Sequence, residues 1–399
     1  MNYIIIGSGV AGITAAAGIR KIDNEGSITV LTDEAYPFYS RIRLIDFLAG
    51  GADEKTLMLK QDEWYIKKRI NLILNSQAAD IDNQKKEVVT ASGDRLKYDR
   101  LLIATGGSSF LPPVPGSDKK GVFTLRTLKD AVAIKEYAKI AKRTLLIGGG
   151  VLGLEAGNAL RKTGNSITVV ESSSRLLPRQ MDSEGAGIFQ AQMEQMGFTF
   201  YLGVKSKEIL GENKAEELML EDGRRIECGM IIISAGIRPN AALAQKLGLK
   251  TEKGLIVNDR MQTESADIYA AGDLIQHKGV FYGIWPAAEK QGETAGINMA
   301  GGDAVYTGTV MSNTLKIAGV DLVSAGDIDA DSKYESVTAK DRKNFIYKKL
   351  VLKDNRITGA ILYGDVKDRA KILKAITDKT DISGIRTALM QWDLAELKN

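Results

Sequence analysis

Two stretches of the chain share one arrangement of apolar and polar positions. Asn2 to Asp33 and Arg143 to Glu171 each open on a short apolar run, Tyr3 to Ile6 or Thr144 to Ile147, and then meet glycines. An Ala- and Leu-rich segment at helical spacing follows, and each stretch closes on a β-branched run, Ser27 to Leu31 or Ser166 to Val170. The pattern predicts two strand-helix-strand units, each beginning a parallel sheet. The duplication continues beyond them. Short strands are predicted at Glu87 to Thr90, with a turn at Ser92-Gly93-Asp94, and at Glu217 to Leu220, with a turn at Asp222-Gly223. Each set leads to another apolar strand ending in glycine, at 101–107 and 231–240.

Leu111-Pro112-Pro113-Val114-Pro115 is stiff and cannot run through a sheet, so it reads as a crossing between domains. The strand predicted from Ile268 to Ala271 has no glycine-rich helix opener of its own and is expected to return to the first sheet. A helix should open at Pro286. From about residue 309 the pattern predicts strands at Thr314 to Val320, Phe345 to Leu352 and Ile357 to Tyr363, hinged at Asp354-Asn355, and a helix from Val366 to Ile376.

Composition narrows the chemistry. At 399 residues the chain has room for two to three domains of roughly 150 residues each. One cysteine, Cys228, excludes an internal disulfide and thiolate-rich metal or iron-sulfur sites, and one histidine, His277, excludes imidazole-rich ones. No metal site is therefore expected, and an organic cofactor should carry any reaction. The net charge of +4 comes without basic runs, which argues against nucleic acid and leaves an acidic protein as a partner. No run approaches the roughly 18 apolar residues of a membrane span, and a strand opens the chain with no basic segment before it; the reading is cytoplasmic.

Gly7-x-Gly9-x-x-Gly12 lies between a strand and a helix, as a dinucleotide site requires. The first glycine makes the tight turn, the second admits a pyrophosphate, and the third packs helix on strand. Gly148-x-Gly150-x-x-Gly153 repeats the arrangement. Glu171, 18 residues beyond Gly153, is placed to accept ribose hydroxyls and to repel a 2′-phosphate, which favours NADH over NADPH. Arg175 and Arg179 lie downstream, where either could approach a phosphate. The matching position in the first copy is Thr32, followed by Asp33 and Glu34.

These residues resemble the FAD-dependent pyridine nucleotide-disulfide oxidoreductase superfamily. The likeness rests on both fingerprints, on Ala104-Thr105-Gly106, on Glu155 after the second fingerprint and on Ala271-Gly272-Asp273 before the last long helix. It implies an α/β fold like that of glutathione reductase, with two Rossmann-like dinucleotide-binding domains. FAD would lie in 1–110 with 241–308 and NADH in 111–240, followed by a C-terminal α+β domain at 309–399. Asp273 would hold the ribityl chain of FAD, while Gly106 and Ala235-Gly236 would mark the two crossings. Disulfide reductases of the superfamily keep a redox cysteine soon after the first unit, where this chain reads Pro37-Phe38-Tyr39-Ser40-Arg41-Ile42-Arg43-Leu44. That string and 285–296 look like NADH:rubredoxin reductases, the closer match, and like the flavin-bearing front end of NADH-dependent nitrite reductases, which continue into further redox domains.

The resemblance implies hydride delivery from NADH to flavin and release of single electrons to a small acidic carrier protein such as rubredoxin. Glu155 would pair with a basic residue beside the flavin, and Arg41 and Arg43 both stay open for that role. A peroxide-forming NADH oxidase and a redox sensor resembling apoptosis-inducing factor are the alternatives, and a homodimer is left open. Plainer readings stand beside these. Cys228 reads as a small core or edge residue, His277 as a solvated loop residue, Trp285 as packing or a flavin-edge contact, and Glu155 as a surface charge if not a partner of the flavin site. Lys340, Arg342, Lys343, Lys348 and Lys349 form a basic cluster expected to steer an acidic partner. NADH should reduce the bound flavin far faster than NADPH in stopped-flow traces, and Glu171→Ala should narrow the difference. Equal rates with both nucleotides would hand control to Arg175 or Arg179.

Overall fold

The computed structural model describes residues 1–309 and 319–397, with the backbone alone of 312–317. Two compact units are present: Met1–Arg43, Asp53–Ser108 and Ile237–Thr309 in one, and Leu44–Ala52, Ser109–Gly236 and Val310–Asn399 in the other.

In the first unit a five-stranded parallel sheet has the order Ile268–Ala270, Arg100–Ile103, Asn2–Ile6, Ser27–Leu31, Ile70–Ile73. Tyr3, Ile4, Ile5 and Ile6 are all buried, as a strand covered on both faces requires. The late strand at 268–270 does return to this sheet, pairing with Leu101 to Ile103. Helix Val10–Ile22 follows the first strand, and Arg20 near its end, 8% exposed, donates to the carbonyls of Asp23, Lys68 and Arg69. Helix Trp285–Met299 carries Pro286 in its first turn and lies along it. The two approach so closely that a Cβ on Gly292 or Gly296 would overlap the carbonyl oxygen of Ala11 or Ala15.

His277 departs from expectation. It ends the strand Ile275–His277 and is 1% exposed, with Nε2 2.7 Å from Asp259 Oδ1 and its ring 5.0 Å from that of Tyr306. The tight turn at Lys278-Gly279, not a solvated loop, folds the chain back over it, and His277 and Val280 exchange backbone hydrogen bonds.

The second unit repeats the plan. Its parallel sheet runs Phe198–Leu202, Ser166–Glu171, Arg143–Ile147, Met230–Ile233, Val122–Thr124, and helix Val151–Lys162 follows the Arg143–Ile147 strand. A further sheet is antiparallel, in the order Ser312–Ile317, Val320–Gly326, Arg356–Tyr363, Ile346–Lys353, Glu335–Asp341. The single strand expected from Thr314 to Val320 is instead the corner of a hairpin, in which Ile317 pairs with Val320 and Gly319 takes φ +91; position 318 lies outside the described residues. The hinge at Asp354-Asn355 has φ 49 and 54, the twist that a two-residue hairpin needs.

One face of the antiparallel sheet buries Leu350, Leu352 and Leu362 against Ile372 and Ala375 of helix Arg369–Asp378. The other meets helix Ser183–Gln195, where the ring of Phe189 stands edge-on to Tyr363 at 5.6 Å. Strand Ile346–Lys353 is therefore buried on both faces, so Lys348 and Lys349 drop out of the expected docking cluster, and Lys340, Arg342 and Lys343 remain exposed. Lys348 and Lys349 are 6% and 2% exposed, held respectively by Asp365 at 2.6 Å and by Asp182 at 3.1 Å. Lys340 and Arg342 both bind Glu184, and Lys343 is exposed. A central strand sandwiched between helices cannot leave neighbouring lysines in water, so each needs a carboxylate partner.

The helix crossing in the first unit gives a stability test. Gly296→Ala should lower stability by about 2–3 kcal/mol, because the new methyl must displace backbone. Gly187→Ala, in the interior of Ser183–Gln195 with nothing near the added carbon, should raise it by about 0.5–1 kcal/mol. Thermal denaturation of both variants should show opposite shifts in Tm.

Candidate functional site

The two glycine motifs build nearly the same cradle. Gly7 has φ +114 and Gly148 φ +110, and a Cβ at either would overlap a carbonyl, that of Ala104 or that of Ser234. The turn therefore needs glycine for its conformation and for its closeness to the next strand. Gly12 and Gly153 pack back onto the carbonyls of Gly7 and Gly148. Gly9 and Gly150 face open space, with nothing within 4 Å of a built Cβ. Each is also the N-cap of its helix with no side-chain cap, and neither helix has an acid in its first turn. Unpaired N–H groups, the positive end of the helix dipole and an unfilled hollow coincide, which is what a pyrophosphate requires. The residues present fit a dinucleotide at each turn.

The carboxylates differ between the copies. Glu171 ends its strand and is 9% exposed; Oε2 accepts the Gly149 N–H at 2.7 Å and Oε1 the Ser173 N–H at 2.7 Å. Its oxygens are thus fixed beside the second cradle, with lone pairs left for ribose hydroxyls. Arg175 instead donates within its own loop, to the carbonyls of Met181 and Pro178 at 3.3 and 3.4 Å. Thr32 occupies the matching place in the first copy, buried, and its hydroxyl accepts from the Glu34 N–H at 3.3 Å; Asp33 is exposed beside it. Glu34 is the acid that the first unit organises. Its two oxygens take the Arg41 guanidinium and the Tyr39 hydroxyl, each at 2.5 Å, and the guanidinium lies 5.5 Å over the Tyr39 ring.

Other expected residues gather at the ends of the first sheet. Thr105 and Asn240 exchange hydrogen bonds at 2.9 Å in both directions, and Asn240 also receives the Ser108 hydroxyl at 2.6 Å. Asn240 thereby fixes the segment holding Ala104 and Gly106. Gly272, φ +85, donates its N–H to Gln291 Oε1 at 3.0 Å, so a side chain 1% exposed in helix Trp285–Met299 holds the residue before Asp273. Sequence reading missed both Asn240 and Gln291; the first follows Pro239 after the second strand-end glycine, and the second sits one turn past the Pro286 helix start. Trp285 packs its ring 5.9 Å from Phe38, at the start of a helix that also lacks a side-chain cap. Arg43 donates to the Thr56 carbonyl at 2.6 Å. Glu155 lies half-buried on Val151–Lys162 and Gly236 has φ +96, both in the second unit. No helix among the described residues is long and apolar enough to cross a membrane.

Residues 1–292 match the pyridine nucleotide-disulphide oxidoreductase family, and residues 312–380 match the rubredoxin NAD+ reductase C-terminal domain. The chain is 36% identical over 385 residues to the nitrite reductase [NAD(P)H] of Bacillus subtilis, covering 96% of this chain and 48% of that protein. It thus spans about half the length of the first relatives it matches. It is 32% identical to the NADH-rubredoxin oxidoreductase of Clostridium acetobutylicum, with 96% of each chain covered. The crystal structure of the NADH:rubredoxin oxidoreductase from that organism superposes with a TM-score of 0.83 at 29% identity, covering 98% of this chain and 99% of the other. FAD and NADH are the cofactors of such proteins, and both cradles are of the kind they occupy. The chain belongs to the pyridine nucleotide-disulphide oxidoreductase family.

Proposed function

We propose that this chain passes electrons from NADH through FAD to a small acidic one-electron carrier protein of the rubredoxin type. FAD, when bound, supplies an acceptor for hydride and a means of releasing electrons singly. One observation carries the reading. The only thiol, Cys228, is 3% exposed beside the second unit's sheet, and burial pushes it up to about 12. No cysteine stands between Pro37 and Leu44, so a disulfide relay has no residues to run on and the electrons must leave for an external acceptor. The match at 312–380 and the likeness along the whole length of an NADH-rubredoxin oxidoreductase support that acceptor class.

In this reading the segments 1–110 and 241–308 hold FAD, 111–240 hold NADH and 309–399 form the C-terminal domain. Glu171 takes the adenosine ribose hydroxyls and disfavours a 2′-phosphate. The uncapped starts of Val10–Ile22 and Val151–Lys162 hold the two pyrophosphates, and Thr32 and Asp33 border the first. Ala104-Thr105-Gly106, Gly272 and Asp273 line the flavin, with Trp285 against Phe38 excluding water from one side. One of Arg41 and Arg43 sets the charge beside the flavin, and Glu155 is the acid on the nucleotide unit's first helix after its glycine motif. Of the two arginines, Arg41 is already held by a carboxylate, that of Glu34. A second reading makes the chain the electron-input portion of a larger assembly, because a nitrite reductase twice its length is 36% identical to it.

NADH-driven reduction of rubredoxin, ferredoxin, oxygen and ferricyanide separates these readings. Rubredoxin should reoxidise the reduced protein many-fold faster than air. Comparable rates with air would favour an oxidase, and ferredoxin outrunning rubredoxin would favour the assembly. Cys228→Ser should leave transfer to rubredoxin unchanged. A thiol-alkylating reagent at about pH 8 should label native Cys228 only after denaturant is added, since the neutral thiol form persists far above that pH.

A further inference from the structure

We infer that the C-terminal antiparallel sheet positions the nucleotide loop of the second fingerprint, with Lys349 and Tyr347 acting through Asp182. The inference rests on reading Gly148 to Glu171 as the NADH site.

The loop begins where Glu171 ends its strand and runs to Asp182. It is packed inward: Leu176, Leu177 and Met181 are fully buried. It is also fastened to the glycine turn. Leu177, held at φ 50, directs its N–H to the Gly149 carbonyl at 3.4 Å, while the Gly149 N–H goes to Glu171. Gly149 is hemmed in as well, since a Cβ there would stand 2.7 Å from the Leu176 side chain. Arg175 closes the loop from within through the carbonyls of Pro178 and Met181. A displacement of 175–181 would therefore be felt at the turn that receives the pyrophosphate.

The far end of the loop is held by the sheet. Asp182 caps helix Ser183–Gln195, accepting the Gly185 N–H at 2.9 Å through Oδ1. Its other oxygen accepts the Tyr347 hydroxyl at 2.6 Å and lies 3.1 Å from Lys349 Nζ. Lys349 donates also to the Asp329 carbonyl at 3.0 Å. An ammonium this deeply buried is tolerated only with its carboxylate in place, so the pair fixes Asp182 in position. Contact around it leaves no slack: a Cβ on Gly185 would stand 2.7 Å from the Tyr347 ring. Lys349 and Tyr347 are thus positioning residues. Lys348, one residue away, points to the opposite face and binds Asp365, with no link to the loop in the described structure.

The test compares these two lysines in the full-length, FAD-loaded, oxidised protein. Equilibrium titration with NAD+ and amide hydrogen exchange of 175–182 are the readouts, with flavin content and visible spectrum as controls. Lys349→Met should raise the Kd for NAD+ about 5-fold and speed exchange in 175–182, with the flavin unchanged. Lys348→Met removes a neighbouring buried charge and should leave the Kd within about 2-fold and exchange in the loop unaltered. Should Lys349→Met fail to fold, Tyr347→Phe, which removes one hydroxyl and keeps the ring, should raise the Kd about 3-fold. An unchanged Kd and unchanged exchange in the Asp182-facing variants overturn the inference, as does an equal weakening by Lys348→Met. Wild-type protein that binds no NAD+ would instead remove the nucleotide reading, and the exchange data would still decide whether Lys349 holds the loop.

Discussion

At both strand-to-helix turns the backbone passes so near the carbonyl of a neighbouring strand that a single added carbon would not fit. Gly7 against Ala104 and Gly148 against Ser234 are the same constraint met twice. Because the chain turns that sharply, each helix starts directly behind its strand, with its first N–H groups uncapped and facing a hollow. The rest is organised around keeping those helix starts in place. In the first unit a second helix, Trp285–Met299, presses backbone to backbone along Val10–Ile22. In the second, Glu171 and the loop beyond it clasp the turn through Gly149.

Much of this was legible because it is local. A turn that excludes a side chain must be glycine, and a strand covered on both faces must be apolar, so Gly7 to Gly12 and Tyr3 to Ile6 announce themselves within a few residues. The duplication then carries the reading to the scale of a sheet, and the return of Ile268–Ala270 follows from its lack of a helix opener. What escaped depends on distant partners. Lys349 reads as a surface lysine until Asp182, more than 160 positions earlier, is set beside it. His277 reads as polar loop until Asp259 and Tyr306 enclose it. Arg175 reads as a phosphate ligand, but the carbonyls it binds belong to a loop whose path no short pattern describes. The hairpin corner at Gly319 escaped for a different reason: the apolar run of the first strand continues across it with no polar break.

The distribution of charge follows from the same packing. Two basic residues of the last sheet are buried against carboxylates, Lys348 on Asp365 and Lys349 on Asp182, while Lys340 and Arg342 share Glu184 at the surface. The arginines after the first unit's opening motif are tied as well, Arg41 to Glu34 and Arg43 to the Thr56 carbonyl, while Ile42 between them is 66% exposed. An excess of four positive charges is thus a poor guide to where an acidic protein would settle, since part of that charge is neutralised inside the fold.

The interrupted course of the first sheet also sets an order of events during synthesis. All five strands of the second parallel sheet lie between Val122 and Leu202 or at Met230–Ile233, and they leave the ribosome before Ile268 does. Until then Arg100–Ile103 is an open edge of apolar residues, and Ala11, Ala15 and Gly18 on the first helix have no neighbour to lie against. The first sheet, begun first, is therefore completed only after the second parallel sheet. An unpaired apolar edge is a template for pairing with other chains, so the nascent protein is most prone to aggregate in the interval between these two stretches.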